Sequence, residues 1–174
     1  MALPLDEWQD TCETLHLWTQ IVGKIRLAQM PWINHSWHVP LYITSSGLTT
    51  SPMPYGTRAF TIDFDFSKHR LHVSTSDGEQ RSFALEPMTV ATFYKKLMQT
   101  LSELDIEVDI WTMPVEIPGS VQPFEEDETH AAYDPEVVER FWQVLLQVHR
   151  VFTDFRARFI GKVSRFTFSG ARST

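Results

Sequence analysis

Two histidines three residues apart around a tryptophan, His35 and His38 in NHSWHVP (residues 34–40), are the first groups whose types suit a metal. Joint chelation needs both rings on one side, which a helical turn allows and a strand does not. Pro31 and Pro40 leave room for a single turn, and a Zn or Fe site needs a third ligand from elsewhere. His130, Glu116 and Asp127 are the available donors, so the metal set to test is His35, His38 and His130. The plainer alternative makes Trp37 the anchor of a corner, with the histidines bonded to backbone.

Glu116, in PVEIP, is a lone carboxylate between two prolines and two aliphatic residues. In apolar surroundings its pKa would rise, and it could then serve as a general acid or base. Asp63 and Asp65 sit two apart on one side of a strand, about 7 Å from each other, a spacing that suits Mg²⁺ or an acid–base pair. Arg70 and His72 occupy the matching face of the next strand, so cross-strand pairing accounts for both aspartates. Cys12 is the single cysteine and has no evident activating partner. That count excludes an intrachain disulfide and a CxxC site. The chain has no G-x-S-x-G, P-loop or GxGxxG pattern.

The elements that must position these groups follow from periodicity. Between Asp6 and Met30, Trp8, Leu15, Leu17, Trp18, Ile21, Val22 and Ile25 recur at helical spacing, and Pro31 ends the run. Alternation then takes over. Phe60, Ile62, Phe64 and Phe66 share one face of RAFTIDFDF, Leu71 and Val73 continue it, and Asp77-Gly78 turns the chain back into a strand carrying Phe83 and Leu85. Thr89 caps a second helix with Val90, Phe93, Tyr94, Leu97, Met98, Leu101 and Leu104 on its apolar side. IEVDIW (106–111) alternates again and predicts a strand. Residues 112–133 form a long loop rich in proline and acidic residues. Asp134-Pro135 opens a third helix whose stripe runs through Val138, Phe141, Trp142, Leu145, Val148, Phe152, Phe155 and Phe159. These elements predict one α+β domain: an antiparallel meander of about five or six strands packed with three amphipathic helices.

A chain of 174 residues, 43% hydrophobic and 21% charged, has the composition of a soluble folded domain. Its net charge of −7, without a basic stripe, disfavours nucleic acid and anionic membranes as partners. The N-terminal residues lack a secretory pattern and no apolar run is long enough to span a bilayer, so a cytoplasmic location is expected.

The segments LDEWQDTCETLHLWTQIVGKIRL, NHSWHVPLYITSSGLTTSPMPYG, FTIDFDF, WTMPVEIP, YDPEVVERFW and FRARFIGKVS together resemble a family of bacterial proteins known only as domain of unknown function 5996. The likeness covers roughly residues 4 to 164. It brings no activity with it, and any cofactor stays unknown. It implies a further aromatic segment after Ser164 in relatives, so that this chain reads as shortened there.

Two functions from different classes follow. The first is a binding domain for a small molecule, its pocket lined by Trp32, Trp37, Tyr42, Trp111 and Met113, with polar groups from His35, His38 and Glu116. The second is a metal-assisted hydrolase using His35, His38 and His130. A structural or homo-oligomerising role needs only an aromatic surface patch.

Overall fold

The computed structural model describes residues 4–33, 36–117, 122–161 and 167–168. Its helices are α1 (Gln9–Gln29), α2 (Val90–Ser102) and α3 (Pro135–Ala157). Its strands are β1 (Leu41–Ile43), β2 (Gly47–Thr49), β3 (Met53–Tyr55), β4 (Arg58–Asp65), β5 (Arg70–Thr75), β6 (Gln80–Ala84) and β7 (Thr167–Phe168). The strands make one antiparallel sheet in the order β6-β5-β4-β2-β1-β7, with β3 paired to β4 off that path. This is the expected α+β architecture, with seven strands.

The alternation in β4 sets the core. Phe60, Ile62, Phe64 and Phe66 are each at most 1% exposed, and Leu71 and Val73 of β5 are fully buried opposite Phe64 and Ile62. Rings then stack outward from the sheet. Phe64 lies 6.2 Å from Phe93 of α2, Phe93 lies 4.7 Å from Trp18 of α1, and Trp18 lies 5.5 Å from Tyr133. Large rings in this column supply much of the apolar area that fixes both helices to one sheet face. On the opposite face Asp63 stands against His72 and Asp65 against Arg70 in register, but the expected ion pairs are not formed there: the Arg70 guanidinium donates to Ser82, and His72 Nε2 approaches Asp65 only at 4.0 Å. Asp65 chiefly closes the β4–β5 turn, accepting from the backbone N–H groups of Ser67 and Lys68. Burial raises its pKa, but these bonds and the Ser67 hydroxyl outweigh it and hold the carboxyl below its usual range.

Both expected caps are in place. The Thr89 hydroxyl accepts from Thr92 N, and the Asp134 carboxylate accepts from Glu136 N and Val137 N ahead of Pro135 at the first helical position.

Two expectations are corrected. Residues 106–111 form no strand, although Ile106 and Ile110 are buried and their neighbours are not. The segment is extended and anchored by side chains, for instance through Glu107 N to the Tyr55 hydroxyl at 3.0 Å. In α3, Val138, Trp142 and Leu145 are buried, but Phe152 and Phe155 are 47% and 72% exposed, and Phe159, two residues past its end, is 59% exposed. Among the described residues, full burial of the stripe ends at Leu145. The expected shortening after Ser164 falls outside the described residues, apart from Thr167 and Phe168, which add β7 to the edge at β1. Among the described residues no helix is long and apolar enough to cross a membrane.

Candidate functional site

Residues of the 112–133 loop and one face of α1 enclose a cavity of about 390 Å³. Glu13, His16 and Leu17 line it from the helix, where spacings of three and four put side chains on one side. Pro114, Glu116, Ile117, Gln122, Asp127, Thr129 and His130 line it from the loop. Three carboxylates and two imidazoles therefore face it, with no lysine or arginine among the described lining residues.

The loop is held by bonds at several points. The amide of Gln20, 3% exposed, donates to Val115 O at 2.8 Å and accepts from Val115 N at 3.0 Å. Phe124 is fully buried, and its N–H donates to Thr112 O at 3.0 Å. The first amides of α2 reach the same loop: Val90 N donates to His130 O and Ala91 N to Asp127 O, each at 3.0 Å. Those helix-terminal N–H groups lack intrahelical partners, and the loop carbonyls supply them.

Asp127, 4% exposed, organises the chemistry. One oxygen accepts from Thr129 N and His130 N, and the other meets His130 Nδ1 at 2.8 Å. An ionised carboxylate only accepts, so with Asp127 ionised the shared proton lies on His130 Nδ1, and Nε2 is the ring nitrogen that faces the cavity. Nε2 stands 3.9 Å from a Glu13 oxygen. Glu116 holds its backbone in the left-handed region (φ 57). It is exposed at the cavity rather than enclosed by its aliphatic neighbours. A carboxylate in that conformation costs of order 1 kcal/mol that a glycine would not, which marks the position as one to test for function.

The sequence candidates divide among several places. His130, Glu116 and Asp127 come together. His38 does not join them: it is 2% exposed, its Nδ1 accepts from Ile33 N at 3.2 Å, and the Trp32 ring meets its edge at 5.4 Å. Val39, next to it, packs on Gly23, about ten residues and roughly 15 Å of helix from Glu13, which His130 faces. His35 lies outside the described residues, and among those described no group of three or more His, Cys, Asp or Glu is placed to hold a metal. Trp37 is 56% exposed, so the buried group of that corner is the histidine and not the tryptophan. Tyr42 lies under the Arg26 guanidinium at 5.1 Å, and Trp111 lies under the Lys24 ammonium at 4.4 Å. Glu13 and His16 were not among the sequence candidates. Their signal is polar residues three apart beside Leu17 on a helix whose middle turns are mostly buried. Cys12 contributes no nucleophile: burial, with Glu13 beside it, pushes the thiol up.

A family model described as a family of unknown function, DUF5996, matches residues 1–169. The chain belongs to this family. No curated protein and no solved structure matches it. Membership in DUF5996 accounts for the likeness carried by the motifs above and adds no ligand to the cavity.

Proposed function

We propose that the protein is a small-molecule binding domain whose ligand occupies the cavity between α1 and the 112–133 loop, and that this ligand is a small organic cation. The observation that carries the reading is the Asp127–His130 pair, fixed by backbone bonds and turned toward Glu13 in a cavity with no lysine or arginine among its described lining residues. Ligand sites are concave and place a few polar groups on a fixed frame, and this cavity does both. Acidic lining favours a positive charge by simple Coulomb attraction. A cytoplasmic location is part of the same proposal and is tested by cell fractionation.

A thermal-shift screen of small amines, carboxylates and neutral polyols tests the reading, since a ligand that binds only the folded state raises Tm. Ammonium compounds are expected to stabilise the protein, and Glu13→Gln combined with Glu116→Gln to weaken them about tenfold, the scale of about 1.4 kcal/mol. Stabilisation by carboxylates alone, or by none of the three classes, overturns it.

The geometry at His130 favours a second reading, an enzyme in which Nε2 takes a proton from the bound molecule as a general base. The metal-assisted version of that reading draws on His35 and His38 as well, and metal content by mass spectrometry on untagged protein separates the two. A His130→Ala variant that binds the ligand normally, with no ligand ever turned over by the wild type, leaves the protein a binder.

A further inference from the structure

The strap formed by residues 111–117 has a second cavity on its other side, of about 190 Å³ and unlike the first in every lining property. Its walls are the apolar surfaces of Leu27, Val39, Leu41, Trp111, Val115 and Phe168, and among the described residues its only ionic lining group is Lys24. Gly23 leaves the floor open, because a Cβ there would already touch Val39 Cγ1 at 3.6 Å. The Lys24 ammonium is 4.4 Å from the Trp111 ring centre and 5.8 Å from that of Phe124. Among the described residues no carboxylate forms an ion pair with it. Two aromatic faces offset part of the cost of drawing an ammonium out of water, but they leave its charge uncompensated. Burial pushes the Lys24 pKa below its ordinary value, as expected of a cation short of an anion.

We propose that this second cavity binds a short amphipathic acid, its carboxylate on Lys24 and its hydrocarbon part between Trp111, Leu27 and Val39. Charge complementarity selects the carboxylate, and the apolar walls select the tail. The volume sets the length. At roughly 30 Å³ for each water-sized group, the space holds about six or seven non-hydrogen atoms, enough for the six carbons of hexanoate with its two carboxylate oxygens at Lys24. Trp111, 68% exposed, becomes one wall of the filled site. The two cavities take ligands of opposite charge, so this inference and the proposed function fail separately.

The test is a titration of the ¹⁵N-labelled full chain with hexanoate, 1-hexanol and hexylammonium, following the amides of Gly23, Lys24 and Val115 by NMR. Hexanoate is expected to shift these amides saturably with a Kd of about 1 mM, a modest value suited to so small a ligand. Lys24→Met should weaken hexanoate at least tenfold and leave 1-hexanol unchanged, with the dispersion of the spectrum reporting that the variant is folded. Lys24→Gln serves if the methionine variant does not fold. The proposal is overturned if hexanoate gives no saturable shift, if 1-hexanol or hexylammonium binds the wild type as tightly, or if removing the Lys24 charge leaves hexanoate binding intact.

Discussion

Gly47→Ala is expected to cost more than about 3 kcal/mol and to leave little folded protein at 37 °C, the largest effect of any single methyl group in this chain. Gly47 opens β2 and stands opposite Asp65 in the register with β4. A Cβ on it would fall 1.9 Å from the Phe64 carbonyl oxygen and 3.2 Å from the Phe66 ring. The oxygen belongs to the backbone of the strand that carries the core, so neither partner moves without breaking the ladder. Glycine inside a strand often marks such a close approach. Gly56 and Gly78 supply the control: both have positive φ (57 and 94), and a Cβ at either meets nothing within 4 Å. Alanine there should cost only about 1–2 kcal/mol of left-handed strain. Urea unfolding of the three variants checks the order. Equal midpoints for Gly47→Ala and Gly56→Ala would mean that β2 and β4 separate at that point at no cost.

What the sequence made legible follows from the range over which each signal acts. Phe60, Ile62, Phe64 and Phe66 announced their common face because a strand alternates by itself, and Thr89 and Asp134 announced helix starts because a cap is completed within three residues. Residues 106–111 carried the same alternation and form no ladder. Period two reports which side chains are buried, not whether a neighbouring backbone offers N–H and C=O groups. The stripe of α3 likewise gave the buried side of the first half, Val138, Trp142 and Leu145, and could not tell that Phe152 and Phe155 are 47% and 72% exposed. The site was legible in part. Asp127, His130 and Glu116 stood out as chemistry-bearing residues of one loop, and one loop does hold them. Their helical partners Glu13 and His16 depend on where that loop crosses α1, which is fixed by a contact between residues 20 and 115 that no local pattern encodes. His38 misled for the same reason: its Nδ1 is taken by Ile33 N, a bond set by how the chain turns after Pro31.

That crossing point carries the second large effect. Replacing Gln20 by leucine keeps the volume and removes both bonds to Val115, leaving an N–H and a C=O of the strap without their partners. Each such group costs about 1–3 kcal/mol when buried; Val115 is half-buried, so a total of roughly 2 kcal/mol is expected. Hydrogen exchange at the Val115 amide should quicken at least tenfold in Gln20→Leu, and ligands of both cavities should weaken together, since the strap walls both. An amide as protected as in the wild type would show that the strap is held from elsewhere. Gln20→Glu sharpens the test by adding a pH dependence whose sign is fixed. A protonated carboxyl can donate to Val115 O and accept from Val115 N, as the amide does, whereas the ionised form sets a negative oxygen against that carbonyl. Burial and this repulsion both favour the neutral form, so the folded pKa of the new carboxyl lies above its unfolded value of about 4.3. Its contribution is then fully present below the unfolded pKa and is lost as pH rises through the folded one. Gln20→Glu should therefore approach the wild type near pH 4 and fall away from it toward pH 7, while the deficit of Gln20→Leu stays constant across that range. A parallel pair of curves would mean that Val115 is not what Gln20 holds.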